Sequence, residues 1–183
     1  MPKFTSVRFG ELEYREEDLV RLPEGLIGMP QLRRWLILDM GDDLPMKWLQ
    51  SVERGDFGFP VTQPELFRDD YEVQIPRSVK LRLENRELEN LAVLVITTVH
   101  EGGSRVTGNL MAPLVLDTET RLGAQVARDD DLYTVREEMD YFKFGLAVKS
   151  ESSDNELPAG AGACGDGGRD ETRREAEAVD AVV

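Results

Sequence analysis

The sequence has little cysteine, little histidine and few aromatic residues, and it contains no long apolar run. Its 183 residues include one cysteine and one histidine, and aromatic residues make up 7% of the chain. The lone Cys164 excludes a disulfide or a cysteine-based metal site within one chain. No run of about 18 apolar residues is present, and residues 1–18 contain no apolar signal core. We therefore expect a cytoplasmic protein that does not bind membranes.

Acidic residues outnumber basic residues along most of the chain. The totals are 36 and 22, for a formal net charge of −14, and residues 1–150 alone hold 27 acidic and 19 basic residues. Such a surface repels phosphate backbones, so direct binding of nucleic acid is not expected. A basic protein partner fits better, because opposite fields steer encounter. The alternative is that the acidity only keeps the protein soluble.

Short apolar segments separated by turn residues predict many β-strands. Residues 114–117 are apolar, 118–120 are polar, and apolar side chains alternate with others in 121–126. This pattern predicts a β-hairpin with a three-residue loop. Residues 91–99 are the most apolar run and are rich in β-branched side chains, which predicts a central strand. Further strands are predicted in residues 4–9, 12–14, 19–22, 35–40, 48–52, 57–62 and 105–109.

Helix signals are fewer and shorter. Residues 76–88 begin with proline and carry apolar residues on one side, and they give the best helix prediction. Residues 31–34 and 133–139 are also interpreted as helical, and residues 141–148 as a last strand or a packing arm. The fold class predicted is mostly β: a compact antiparallel, β-barrel-like single domain with one or two short helices.

The composition changes near residue 151. Residues 151–183 have no aromatic residue, five glycines, and nine acids against three arginines. Such a segment buries too little apolar surface to offset its chain entropy. We therefore predict a β domain over residues 1–150, followed by a disordered, Gly-rich, acidic tail over residues 151–183.

No catalytic, cofactor or metal site is predicted. His100 is the only histidine, and no second histidine or nucleophile elbow supports it, so a solvent-facing or locally bonded role is expected. Acidic pairs and triplets occur in residues 42–43, 69–70 and 129–131. They could perform acid–base chemistry or bind a hard cation, but adjacent acids in loops are usually only solvated.

Two segments are candidates for binding a partner. In the first, Phe67 and Tyr71 flank Asp69 and Asp70, so an apolar anchor would be rimmed by acids, as a basic partner requires. Alternatively, the two aromatic residues pin the loop to the core. The second segment, residues 22–30, holds two prolines and two glycines and predicts a tight turn. It could bind a partner or simply close a corner of the barrel.

An ordered set of short motifs spans residues 3 to about 137. The motifs are Gly10-Glu11-Leu12, Glu17-Asp18-Leu19, residues 22–28 (LPEGLIG), Trp48-Leu49-Gln50-Ser51-Val52, Pro64-x-Leu-Phe-x-x-Asp-Tyr-Glu, Asn109-Leu110-x-Ala112-Pro113, Asp117-Thr118, Gly123-x-Gln125-Val126 and Tyr133-x-x-Arg136. Each motif is weak alone, whereas their order and spacing together are fairly specific. With this set of motifs, the chain resembles the FliW family of flagellar assembly factors.

The chain departs from the family pattern in two places. Gln63 stands where the family usually has aspartate before proline, and 47 residues follow Arg136, where family members tend to stop. What the resemblance implies therefore applies more to the body than to the C-terminal extension.

The resemblance implies a non-enzymatic regulator. Proteins of this family bind CsrA, a small RNA-binding translational repressor, and relieve its repression of flagellin mRNA; flagellin also binds and sequesters them. We predict that Phe67, Asp69, Asp70, Tyr71 and Glu72 form part of the partner-binding surface. The alternatives are a small β-barrel that binds an apolar ligand and a carboxylate-dependent hydrolase.

Overall fold

The structure is a computed structural model that describes residues 1–41, 44–83, 90–100 and 105–141. The predicted tail, the predicted arm at residues 142–148 and the end of the predicted helix, residues 84–88, lie outside these ranges. Their predictions stay predictions.

The described residues form a mostly β fold. One α-helix, α1 (Arg77–Arg82), and two 3₁₀ turns, Glu16–Asp18 and Pro64–Leu66, interrupt the strands. The strands are β1 (Lys3–Ser6), β2 (Gly10–Glu13), β3 (Val20–Arg21), β4 (Arg34–Asp39), β5 (Lys47–Ser51), β6 (Gly58–Thr62), β7 (Leu91–His100), β8 (Arg105–Gly108), β9 (Leu114–Asp117), β10 (Gly123–Gln125) and β11 (Glu137–Glu138).

The strands form one curled antiparallel sheet and a separate hairpin. The order in the large sheet is β10-β9-β7-β6-β5-β4-β3, while β8 pairs with β7 and β11 pairs with β8. The two ends of the sheet meet where Arg21 forms a parallel bridge with Leu122. There the Arg21 N–H donates to the carbonyl of Arg121 at 2.8 Å. The result is a half-barrel, which confirms the predicted β-barrel-like class.

The interior of the half-barrel is filled by large apolar side chains. Trp35, Leu49, Val61 and Leu114 are fully buried and belong to one hydrophobic cluster. Burial of each such side chain contributes about 1.5–3 kcal/mol to folding. A barrel that binds an apolar ligand would need an unfilled interior, so this packing does not favour that alternative.

The β1–β2 hairpin covers another face of the sheet through a buried polar side chain. Gln50 of β5 is 1% exposed, and its side-chain oxygen accepts bonds from the Ser6 hydroxyl (2.8 Å) and the Trp48 indole (3.1 Å). Its amide nitrogen donates to the carbonyls of Ser51, Gly55 and Phe57 at 3.1, 3.3 and 2.9 Å. Gln50 thus ties the hairpin, β5 and the following loop together.

The structure confirms most of the strand predictions. The predicted hairpin is β9–β10, but its loop is longer than the three residues predicted, because β9 ends at Asp117 and β10 begins only at Gly123. The turn is held by Asp117, whose carboxylate accepts the N–H groups of Glu119 and Thr120 at 2.9 and 2.8 Å. Arg121 closes that turn at a φ of 59°. The predicted central strand is β7, which contacts β6, β8 and β9.

Two of the helix predictions are wrong. Residues 31–33 are not helical, and Arg34 begins β4, where it pairs with Arg21. Residues 133–139 contain β11, because Glu137 and Glu138 pair with the free edge of β8. In both segments, pairing with a distant strand outweighs a local helical pattern. The helix predicted from residue 76 is present as α1, with Pro76 at its N-cap.

Candidate protein-interaction surface

The loop after β6 is anchored by a buried aromatic ring. Phe67 is 5% exposed and packs in a hydrophobic cluster with Val95, Val106 and Leu110. Its ring lies so close to Gly108 that a Cβ at that position would come within 2.6 Å of it. Phe67 therefore pins the loop to the core, as the alternative interpretation of this segment states, and it offers a partner almost no surface.

A pair of tyrosines joins this loop to the loop after β10. The rings of Tyr71 and Tyr133 lie 4.7 Å apart, centre to centre, and the Tyr71 hydroxyl donates to the carbonyl of Leu110 at 3.0 Å. The Tyr133 hydroxyl donates to the carbonyl of Asp70 and accepts the N–H of Glu72, both at 3.1 Å. The backbone on either side of Tyr71 is therefore fixed by the second loop.

A buried arginine completes the junction of the two loops. The Arg128 side chain is 5% exposed and its guanidinium lies 4.7 Å from the centre of the Tyr133 ring. It donates to the carbonyl of Glu72 at 2.5 Å and pairs with the carboxylate of Asp130 at 2.7 Å. Its Nε has no hydrogen-bond partner among the described residues. Sequence reasoning missed this role, because nothing local distinguishes Arg128 from other loop arginines.

Both of the joined loops carry exposed carboxylates. Asp69, Asp70 and Glu72 are exposed on the first loop, and Asp129 and Asp131 on the second. We call these five residues the acidic platform. The Asp70 carboxylate pairs with Arg68 at 3.0 Å. These acids lie at the surface of anchored loops, an arrangement suited to recognition of a basic partner.

Burial of Tyr71 predicts a loss of stability in alkali. Burial raises the pKa of its hydroxyl to about 12, and nearby Arg128 only partly offsets this effect. An unfolded tyrosine ionises near pH 10, so the folded state holds its proton more tightly. The contribution of this tighter proton binding to the stability of the folded state is complete below pH 10 and is lost as the pH rises through about 12. Denaturant titrations at increasing pH should show this loss in the free energy of unfolding. In Tyr71→Phe, the free energy of unfolding should fall less steeply over the same pH range.

Other candidate groups have local structural roles. The His100 ring nitrogen Nε2 lies 3.0 Å from the hydroxyl of Thr107, the locally bonded arrangement that the sequence predicts. Among the described residues, no three His, Cys, Asp or Glu side chains are arranged to hold a metal ion. In the same part of the chain, no helix is long and apolar enough to cross a membrane.

The turn at residues 22–30 lies at the seam of the half-barrel. Gly25 has a φ of 68°, and a Cβ there would lie 2.4 Å from the carbonyl oxygen of Met29, so only glycine fits. The N–H of Ile27 donates to the side chain of Gln125 in β10 at 2.8 Å. This contact agrees with the interpretation that the turn closes a corner. A surface cavity of about 230 Å³ lies beside it.

Comparison with known proteins gives consistent matches. The sequence model of a family described as "FliW protein" matches residues 3–139. The flagellar assembly factor FliW of Caldanaerobacter subterraneus subsp. tengcongensis is 35% identical over 129 residues, 70% of this chain and 86% of that protein. FliW of Alkaliphilus metalliredigens is 32% identical over 163 residues, 88% of this chain and 96% of that protein.

A solved structure is also similar. It is the crystal structure of a flagellar assembly factor FliW, with a TM-score of 0.70 and 28% sequence identity, and the match covers 75% of this chain and 96% of that chain. The Alkaliphilus alignment spans more residues than the family match, so it continues into the segment beyond Met139.

Proposed function

Because the chain belongs to the FliW family of flagellar assembly factors, we propose that it binds a translational repressor of the CsrA class and relieves repression of flagellin mRNA. It acts in the cytoplasm without catalysis. Flagellin competes for it, so the amount of free flagellin sets how much of the protein is available to CsrA. Such partner exchange is a linkage between two binding equilibria.

The acidic platform is the observation that carries this proposal. A repressor that holds RNA must present basic side chains, and the platform offers five exposed carboxylates on loops fixed by Phe67, Tyr71 and Arg128. Loops that are already ordered lose little conformational freedom on binding. An acidic protein bound to the repressor would lower its RNA affinity by repelling phosphates or by changing the repressor's shape.

Reversing two charges of the platform should weaken binding to CsrA. The variant Asp69→Lys with Asp70→Lys places lysines where a basic partner expects carboxylates, and we expect affinity to fall by about tenfold or more. Calorimetric titration of the full chain with CsrA measures this effect directly. A change in affinity smaller than about twofold would show that the platform is not part of the surface that binds CsrA.

A matched control reverses the same amount of charge elsewhere. Asp56 and Glu119 are exposed and belong to neither candidate surface; Asp56 pairs with Arg54 at 2.5 Å, and Glu119 accepts a hydrogen bond from the Asn90 side chain at 2.8 Å. Asp56→Lys with Glu119→Lys should leave CsrA affinity unchanged if the platform is the contact. Adding flagellin to the wild-type complex should release CsrA; failure to do so would contradict the partner exchange but not the platform.

A further inference from the structure

One edge of β4 is only partly covered by a neighbouring strand. On one side, β5 pairs with β4 from Trp35 to Asp39. On the other side, β3 pairs only with Arg34 and Trp35. Within the described residues, the second half of β4 therefore has a strand neighbour on one side alone.

The backbone alternation along β4 shows which groups face the open side. The carbonyl of Arg34 accepts a bond from the chain that follows β5, whereas the carbonyl of Arg33 accepts the N–H of Leu22, on the side of β3. Successive residues of a strand direct their N–H and C=O groups to alternate sides. The backbone groups of Ile37 and Asp39 therefore point to the side where β3 has ended.

A groove follows this open edge. Its volume is about 240 Å³, and its apolar wall is made by Leu36, Ile37 and Leu38. Ile37 and Leu38 are half-buried, although they lie in a strand of the large sheet. The rest of the lining comes from Glu13, Tyr14, Asp18 and Arg121.

The chain that borders the groove is strongly acidic. Residues 11–18, which run from β2 into the first 3₁₀ turn, contain five carboxylates and one arginine. Two of these carboxylates, on Glu13 and Asp18, line the groove itself and pair with Lys3 and Arg15, each at 2.8 Å. Five carboxylates against Lys3 and Arg15 still leave this border with a net charge of −3. Arg121 is the only cation in the lining.

We propose that the open edge of β4 binds an extended, lysine- or arginine-rich segment of a protein partner by strand addition. The backbone of Ile37 and Asp39 pairs with the incoming strand, the apolar wall receives its alternate side chains, and the acidic border attracts its cations. Unpaired sheet edges template such pairing unless something covers them. This site is formed by β4, the chain from Glu13 to Asp18 and Arg121, and it shares no residue with the acidic platform.

Hydrogen exchange on the full chain tests the proposal with a defined probe. The probe is a six-residue peptide that alternates lysine and valine, and the control peptide has glutamate in place of lysine. In the free protein, the amides of Leu36 and Leu38 should be protected by β5, and those of Ile37 and Asp39 should exchange freely. The lysine peptide should add protection at Ile37 and Asp39, and the glutamate peptide should not.

Two further comparisons separate strand pairing from charge alone. N-methylation of alternate residues blocks one hydrogen-bonding side of the peptide, so only one of the two N-methylated isomers should bind. Glu13→Lys with Asp18→Lys should weaken peptide binding by about tenfold, whereas Asp69→Lys with Asp70→Lys should leave it unchanged.

Several outcomes would overturn the proposal. They are equal binding of both isomers, equal binding of the glutamate peptide, or no added protection at Ile37 and Asp39 at millimolar peptide. Protection of these two amides that rises with protein concentration alone would show that a second copy of the chain covers the edge instead.

Discussion

Replacing Phe67 with alanine is expected to lower the free energy of unfolding by about 3–5 kcal/mol, the usual cost of emptying a buried aromatic site. The ring is 5% exposed and fills the space between its loop and Gly108 of β8. Gly108 has no side chain to move into the vacated volume, so the cavity should persist. Chemical denaturation of the wild type and the variant measures the difference.

The control for this variant is an aromatic residue at the surface. Phe9 is 36% exposed, and the centre of its ring lies 6.1 Å from the centre of the Trp48 ring in an edge-on arrangement. Phe9→Ala should therefore lower the free energy of unfolding by about 1 kcal/mol or less. Phe67→Leu keeps most of the volume and should retain CsrA affinity, because the loop stays anchored. If Phe67→Ala lowers the free energy of unfolding by less than about 1 kcal/mol, the ring does not anchor the loop.

Replacing Gln50 with leucine should lower the free energy of unfolding by about 3 kcal/mol or more. Leucine has a similar volume but cannot bond the Ser6 hydroxyl, the Trp48 indole or the carbonyls of Gly55 and Phe57. Each buried polar group left without a partner costs about 1–3 kcal/mol. Thermal and denaturant unfolding would measure the loss.

The same substitution at an exposed glutamine provides the comparison. Gln31 is exposed and lies outside the strands, so Gln31→Leu should change stability by less than about 0.5 kcal/mol. Equal effects of the two substitutions would mean that the buried network does not hold the β1–β2 hairpin. Loss of that hairpin in Gln50→Leu should also expose Tyr14 and Leu36, which pack in the cluster beneath it.

The strands could be predicted because their apolar residues carry the pattern of a half-buried surface. The strand at residues 91–99 and the hairpin around residues 118–120 are predicted by the local sequence pattern alone, without knowledge of the strands that pair with them. The failures at residues 31–34 and 133–139 have a different cause. Arg34 and Glu137 are in strands only because β3 and β8 lie beside them, and no local sequence pattern contains that information.

The candidate surface could be predicted only in part. The acidity of Asp69, Asp70 and Glu72 and the aromatic residues beside them are visible in the sequence, and the structure places these acids at the surface. The direction of the Phe67 ring is decided by the space at Gly108, which lies more than forty residues away. The contribution of Arg128 likewise depends on the approach of two loops that only the fold brings together.

The seam of the half-barrel has a consequence for the order of folding. Arg21 and Leu122, which bridge its two ends, lie about a hundred residues apart in the chain, and closing a loop of that length is entropically costly. The hairpins β4–β5 and β9–β10 have no such cost, since their strands are close in sequence. We therefore expect the seam to form late, after the transition state, so that substitutions there accelerate unfolding and leave the folding rate almost unchanged.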